Sequence, residues 1–448
     1  MKLTFHGGAK SVTGANYLLE SGGMKILVDC GLNQGGNYAE RQNFEPFPYR
    51  PEEIQAAFVT HAHIDHIGRL PKLYKDGFRG RIYSTPPTRD FGEFLLLDSE
   101  HILSKEAERE QRPLLYDTDD VVATMNIWEG VEYHATVTVG PFRVTFYNAG
   151  HILGSAILLI EVEGKRFVFT GDLGNFPPPI IQTTEMLQSA DYCVIESAYG
   201  DRIHENVGGR KEQLEDAVED VVKTNGTLMI PAFAMERTQD LLFHLNDLVE
   251  HGRVPRIPTF IDSPLAIKLT EVYRKYQKYF NHETSAVIRS GDDILNFPGL
   301  RFTLSTEQSK EINNAPAPKI VIAGSGMMQG GRILHHAIRY LPDPKSMILF
   351  IGYQAFGSLG RQIMEGAKEV RIFGETVPVR CAKRVIHGYS AHADQPRLIE
   401  WLTPLRHSLK KIFIVQGEEK ASAALAQKVR DELAIAAEVP DAGEEVML

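Results

Sequence analysis

Thr60-His61-Ala62-His63-Ile64-Asp65-His66 follows directly on the apolar run Ala56-Ala57-Phe58-Val59. In extended chain, residues two apart point to the same side, so His61 and His63 present their rings together. Asp65 and His66, just beyond, can turn toward a second position. Neutral imidazole and carboxylate suit zinc rather than calcium or magnesium alone. The stretch therefore reads as the first half of a metal site at the end of a β-strand, and the rest of the chain should supply the remaining ligands.

Working outward, the first part of the chain is rich in short β-like runs. Asn16-Tyr17-Leu18-Leu19-Glu20 and Met24-Lys25-Ile26-Leu27-Val28 flank Ser21-Gly22-Gly23, which predicts a hairpin. Further strands are expected at Phe142–Phe146, Ala156–Ile160 and Phe167–Phe169, and a helix across Phe91–Glu108. From about Gly200 the pattern changes. Lys211–Lys223 places Leu214, Val218 and Val221 on one helix face, and strands are expected at Thr227–Ile230, Thr259–Ile261, Ile320–Ala323 and Ile348–Ile351. Strands alternating with helices imply a parallel sheet. Beyond Gly352, strands at Arg384–Ile386 and Ile412–Val415 and a helix at Ala421–Leu433 resume the first pattern.

The bulk composition narrows the setting. The chain has 448 residues, 43% hydrophobic and 24% charged, enough for two or three structural units of ordinary globular balance. A net charge of -10 argues against a basic coat but leaves room for a local basic cleft. Cys30, Cys193 and Cys381 form no C-x-x-C pair, so a disulfide framework and a thiolate zinc site are both unexpected, in keeping with a reducing cytoplasm. The N-terminus does not read as a signal peptide, and no apolar run is long enough to cross a membrane. The expectation is a soluble cytoplasmic protein with no membrane partner.

Three strand-end candidates can complete the ligand sets. His151 stands in Gly150-His151-Ile152-Leu153-Gly154-Ser155, Asp172 ends Phe169-Thr170-Gly171-Asp172, and His392 stands in Ser390-Ala391-His392-Ala393-Asp394. Each is weak alone; with the opening cluster they make two ligand sets.

This series of motifs, with the early Val28-Asp29, resembles that of the metallo-β-lactamase superfamily. Glu196 in Ile195-Glu196-Ser197-Ala198-Tyr199-Gly200 resembles the first extra motif of its β-CASP branch, and His392 the last. Ser325-Gly326-Met327-Met328 through Gly330-Gly331-Arg332, and Gly352-Tyr353-Gln354, match further along. The resemblance implies an α/β fold: an αβ/βα sandwich in residues 1–200 and 353–448, interrupted by an inserted α/β β-CASP domain in residues 201–352. It implies two zinc ions per chain, one held by His61, His63 and His151, the other by Asp65, His66 and His392, with Asp172 bridging them. Asp29 would orient a ligand histidine.

The same resemblance implies a nuclease, and His392 at the last motif favours single-stranded RNA over DNA. The implied reaction is phosphodiester hydrolysis leaving a 5′-phosphate and a 3′-hydroxyl. Zinc lowers the pKa of bound water to about 7. Asp65 is the expected proton acceptor, and Glu196 would position His392 or another donor to the leaving oxygen. One position departs from the pattern. Where the pre-mRNA nuclease of the branch carries a histidine, this chain has Gln362, which cannot act as a general acid; His387 is the nearby substitute. Arg237, Ser325, Gly326 and Arg332 are the expected phosphate-binding positions, in a cleft between sandwich and insert. The competing readings are a thioester or lactone hydrolase, a DNA nuclease and a non-catalytic RNA-binding scaffold. The oligomeric state stays open, with a homodimer as one possibility.

Overall fold

A computed structural model describes residues 1–35, 37–204, 209–352, 354–355 and 357–448, with backbone only at 37 and 38. Tyr353 of the Gly352-Tyr353-Gln354 motif lies outside the described residues. The chain divides into two units. The first comprises Met1–Pro178, Gln182–Ile203 and Ala391–Leu448; the second comprises Pro179–Ile181 and His204–Ser390.

The first unit contains two seven-stranded sheets among the described residues. One runs in the order β22 (Glu445–Met447), β1 (Lys2–Gly7), β2 (Asn16–Ser21), β3 (Met24–Val28), β4 (Ala56–Phe58), β5 (Arg81–Ser84) and β6 (Trp128–Gly130). The other runs β21 (Ala436–Glu438), β20 (Lys411–Val415), β11 (Tyr192–Glu196), β10 (Lys165–Phe169), β9 (Ala156–Val162), β8 (Phe142–Asn148) and β7 (Thr136–Val139). The expected hairpin is β2–β3, with Gly22 (φ 56°) and Gly23 (φ 76°) as its two loop residues; both need the left-handed region that this turn demands. Phe5, Tyr17, Phe58, Phe146, Phe167 and Phe413 are all buried in one core cluster built from strands of both sheets. A second cluster joins the opposite side chains of β11 and β20 to Trp401, Leu402, Leu425 and Val429 of helices Gln395–Leu402 and Glu419–Leu433. Strands buried on both faces explain the near-continuous apolar runs at Cys193–Ile195 and Ile412–Val415.

The expected helix over Phe91–Glu108 is longer, Pro86–Glu110. Thr85 caps it through Thr88 N, and Pro86 and Pro87 occupy the first turn, where a missing N–H costs nothing.

The direction of the strands decides where chemistry can sit. β3, β4 and β5 run parallel in the first sheet, and β10, β11, β20 and β21 run parallel in the second. Their carboxyl ends deliver Asp29, His61, Asp172, Glu196 and Gln416. Ligands in open α/β sheets bind outside such ends.

The second unit carries a six-stranded, all-parallel sheet: β14 (Leu300–Phe302), β13 (Thr259–Asp262), β15 (Lys319–Ala323), β12 (Thr227–Pro231), β16 (Met347–Phe350) and β19 (Ala382–Val385). Helix Arg210–Thr224 precedes the first of these strands, and helices Arg237–Glu250, Pro264–Lys275 and Ile333–Tyr340 lie between strands in sequence, as a parallel sheet requires. The expected α/β class, a sandwich carrying an inserted α/β unit, is the class observed. The limits of the insert differ from the sequence reading. Residues expected to return to the sandwich after Gly352 stay with the second unit as far as Ser390, because β19 pairs with β16 and extends its sheet. The strand expected at Arg384–Ile386 is that edge strand. An apolar triplet read alone does not reveal which sheet it joins.

Candidate metal centre

The cluster is built on the strand ends of the first unit. After β4 the chain stays extended through His63 (φ -61°, ψ 145°), which begins the short helix Ile64–Ile67 carrying Asp65 and His66. Gly31 is required by this turn: a Cβ there would collide with the carbonyl of Asp65. Gly171 is required likewise. Its φ is +53°, and a Cβ would lie 2.6 Å from Cβ of Thr60. His151 sits in a turn closed by Ser155, whose Oγ accepts from His151 N (3.0 Å) and Ile152 N (3.2 Å). His392 arrives from far along the chain. Asn175 N donates to Ala391 O (2.7 Å) and Ala393 N to Leu173 O (2.8 Å), so its segment runs as a strand beside the residues after Asp172.

Three ring nitrogens converge. His61 Nε2 lies 3.0 Å from His63 Nδ1, and His151 Nε2 lies 3.2 Å from the same atom. Asp172 Oδ2 is 3.4 Å from His61 Nε2 and 3.6 Å from His151 Nε2. Ligands about 2.0–2.1 Å from a tetrahedral zinc ion stand about 3.3 Å apart, so the donor atoms fit one ion. His61, His63, His151 and Asp172 together could hold a metal. The other carboxylate oxygen, Asp172 Oδ1, is buried with no hydrogen-bond partner. It lies 3.5 Å from His66 Nε2, which is 3.8 Å from Asp65 Oδ2. An orphaned carboxylate oxygen beside an imidazole and a second carboxylate fits a second cation, since a buried unpaired oxygen is otherwise costly.

Asp29 stands behind His66. Its Oδ2 is 2.7 Å from His66 Nδ1, and its two oxygens also accept from Thr60 N and Thr60 Oγ1 at 2.8 Å each. Glu196 stands behind His392. Its Oε2 is 3.1 Å from His392 Nδ1, while Oε1 accepts from Leu173 N at 2.6 Å. His392 Nδ1 is also 3.7 Å from Asp172 Oδ2, and Asp172, Glu196 and His392 form a second group able to hold a metal.

The electrostatics agree with a cation site. Burial, aided by the charge of His66, holds the His61 imidazole well below its ordinary pKa, in the neutral form that ligates. Burial would lower His66 as well, but Asp172, Asp29 and Asp65 outweigh it and hold the pKa well above the ordinary value. Burial raises Asp65 and Glu196. Asp172 is driven the other way: His66, His61 and His392 overcome its burial and keep it ionised. The pocket draws positive charge onto itself.

The expected phosphate-binding positions lie in the second unit and are engaged there. Arg237 pairs with Glu236 at the start of its helix. Arg332 donates to Asp262 Oδ1 (2.8 Å), Thr303 O (3.1 Å) and Leu304 O (3.0 Å). Ser325 Oγ accepts from Gln329 N and Gly330 N, closing its own turn, and Gly326 lies under the Phe233 ring. Gln362 is exposed on helix Leu359–Met364 and donates to Gly357 O (3.3 Å). His387 begins a 3-10 turn.

One site residue escaped the sequence reading. Gln416, 3% exposed, follows β20 and places Nε2 3.1 Å from His66 Nε2. A search for imidazole, thiol and carboxylate ligands passes over an amide. The signal was positional: Gln416 ends an apolar strand before a glycine, just as Asp172 follows one.

Comparison with known proteins agrees with this architecture. Residues 18–192 match the metallo-beta-lactamase superfamily domain, residues 238–363 the Beta-Casp domain, and residues 376–440 the Zn-dependent metallo-hydrolase RNA specificity domain. The chain is similar to Ribonuclease TTHA0252 of Thermus thermophilus, at 36% identity over 95% of each chain. It is similar to transcription termination factor FttA of Methanosarcina mazei, at 31% identity over 97% of this chain and 70% of that one. An RNase J-like protein of Methanocaldococcus jannaschii is 29% identical over 98% of each. Among solved structures, a protein of unknown function from Enterococcus faecalis V583 shares the fold, with a TM-score of 0.56 and 12% identity over 100% of this chain and 99% of that one. No helix among the described residues is long and apolar enough to cross a membrane. With three domain matches in this order and a full-length relative at 36% identity, the chain belongs to the β-CASP branch of the metallo-β-lactamase superfamily of metal-dependent hydrolases.

Proposed function

We propose that the protein is a ribonuclease hydrolysing phosphodiester bonds of single-stranded RNA at a two-metal centre, with zinc at the three-histidine position. The observation that carries the reading is the convergence of His61, His63, His151 and Asp172 on one point, with Asp172 Oδ1 left over for a second ion. The names of the ribonuclease relatives and the RNA specificity domain support RNA as substrate.

His61, His63 and His151 would hold the first ion and Asp65 and His66 would serve the second, with Asp172 available to both. When bound, the ions lower the pKa of water and offset charge on the phosphate oxygens. The chain's own residues do the rest. Asp29 accepts a hydrogen bond from Nδ1 of His66 and so turns Nε2 inward. Asp65, its pKa raised by burial, accepts a proton from the attacking water. As the water oxygen bonds to phosphorus, the bond to the 3′ oxygen breaks. His392, held through Nδ1 by Glu196, gives that oxygen a proton from Nε2. This arrangement removes the need for a histidine at Gln362. The products carry a 5′-phosphate and a 3′-hydroxyl.

The test compares cleavage of 5′-labelled single-stranded RNA, the same sequence as DNA, and a thioester by the metal-loaded protein. RNA cleavage with 5′-phosphate ends, abolished in Asp65→Ala, is expected. Thioester or DNA turnover without RNA cleavage would overturn the reading.

A further inference from the structure

The second unit also carries a two-stranded hairpin, β17 (Glu369–Ile372) and β18 (Glu375–Pro378). Val370, Ile372 and Val377 are buried in one core cluster with Leu334 and Ala337 of helix Ile333–Tyr340, which fixes the hairpin against that helix. The turn is Phe373-Gly374, with φ of 49° and 86°. A two-residue turn with φ > 0 at both positions is best met by asparagine followed by glycine. Phenylalanine in the first place is strained, because its Cβ crowds the backbone there. Burial does not offset the strain, for the residue is 60% exposed. The ring instead lies over that of His335, which is exposed too, with centroids 4.8 Å apart and planes 37° apart. Stability alone gives no reason to keep a strained, exposed aromatic at this turn, and such outliers point to a role in binding.

Positive charge collects around the two rings. Arg371 Nη2 donates to Gly374 O (3.3 Å), which brings its guanidinium to the turn. Arg339 is exposed one helical turn after His335, on the same face of the helix. Arg380, also exposed, follows β18, and its N donates to Leu341 O just past the end of that helix. None of these three guanidinium groups forms an ion pair among the described residues, although Glu369 and Glu375 lie on the same hairpin. From Arg332 to Arg384 the sequence has nine lysines and arginines against four aspartates and glutamates, in a chain whose net charge is -10. The local basic surface that the overall charge left room for lies in this stretch.

We infer that Phe373 and His335 form a stacking platform for bases of single-stranded RNA, with Arg371, Arg339 and Arg380 taking its phosphates, as a binding site additional to the metal centre. An aromatic face accepts any base, so this contact holds the strand without reading its sequence. A guanidinium with no carboxylate to satisfy takes phosphate oxygens through paired hydrogen bonds. An apolar protein surface would match the two rings and leave three cations unpaired; a nucleic-acid strand matches both. The inference rests on the ribonuclease reading above and adds a place where the strand is held.

The test is fluorescence anisotropy of 5′-labelled single-stranded RNA on the full-length, metal-loaded protein, with Asp65→Ala in the background so that the strand stays intact. Phe373→Asn is the deciding variant, because it gives the turn its favoured residue. Its Tm should hold or rise while RNA affinity falls about tenfold. Phe373→Trp should bind at least as tightly as the native residue. Arg371→Gln and Arg339→Gln should each flatten the dependence of log Kd on log salt concentration by about 0.7. With Asp65 intact, Phe373→Asn should raise KM for RNA and leave kcat unchanged. RNA affinity unmoved by Phe373→Asn would overturn the inference and leave the ribonuclease reading standing. Weaker binding together with a lower Tm would overturn it too, since the ring would then be structural. Failure of the protein with Phe373 intact to bind RNA at all, with thioester turnover in place of RNA cleavage, would overturn both.

Discussion

His66 Nδ1 and Asp29 Oδ2 lie 2.7 Å apart in a fully enclosed setting, and this hydrogen bond decides which ring nitrogen His66 turns toward Asp172. Asp29 can do this because its backbone, at φ 58°, leaves the strand sharply while its N still donates to Phe58 O. Asp29→Ala should release the ring and lower affinity for the second ion by about 10–100-fold. Asp29→Asn, whose amide oxygen still accepts from Nδ1, should lose less. Metal retained after dialysis against a weak chelator measures both.

His392 and Glu196 should separate chemistry from metal binding. With His392 Nδ1 held at 3.1 Å by Glu196, His392→Ala should lower kcat by about 10²–10⁴-fold. Metal content should stay unchanged. Glu196→Gln keeps an acceptor for Nδ1 but loses the charge, so its kcat should fall less. Loss of one metal equivalent in His392→Ala would instead make His392 a ligand of the second ion.

Arg332 should matter for stability. Its guanidinium meets Asp262, which is wholly buried and also receives His336 Nε2 (2.7 Å), Thr303 Oγ1 (2.6 Å) and Ser309 Oγ (2.6 Å). These donors outweigh burial and hold the Asp262 carboxyl far below its ordinary range. The stabilisation is complete at neutral pH and is lost only in strong acid, as pH falls through the depressed folded value. Arg332→Ala should cost about 3 kcal/mol, read by urea denaturation at pH 7.

His244 gives the protein an acid-sensitive point. It is buried against Tyr389, with Nδ1 2.7 Å from the hydroxyl, and burial together with Arg210 and Lys211 pushes its pKa down to about 3. The folded state keeps it neutral, whereas the unfolded chain protonates it near pH ~6.5. Between those values the unfolded state binds the extra proton, so stability falls as pH drops, by up to about 1.4 kcal/mol per unit. Denaturation from pH 7 to 4 should show this slope, and His244→Gln should flatten it. Tyr389→Phe should cost about 1 kcal/mol at pH 7.

Much of this was legible in the residues. The hairpin at Gly22-Gly23, the strands at Phe167–Phe169 and Ile412–Val415, and the helix at Ala421–Leu433 declare themselves by period, turn glycines and breakers. So does the cluster from His61 to His66, because three imidazoles and a carboxylate packed into six residues after a strand serve little purpose but to hold a metal. What was not legible depends on pairing across the chain. Nothing local to Ala382–Val385 reveals that it joins β16 rather than the sandwich, which is why the insert runs to Ser390. Arg332 reads as a free cation until Asp262, far away in sequence, is found beneath it. Gln416 reads as an ordinary polar residue until His66 is found beside it.

The strand pairing that brings Ala391–Ala393 against Leu173–Asn175 has a consequence for biosynthesis. His392 is separated from Glu196 by 196 residues, which a ribosome adds in roughly 10–40 s. During that interval the three-histidine cluster has left the ribosome and its partner segment does not yet exist. On the proposed mechanism, a nascent chain would for that interval hold the three-histidine cluster without His392, so the two halves of the site would be joined only once Ala391–Ala393 has been added.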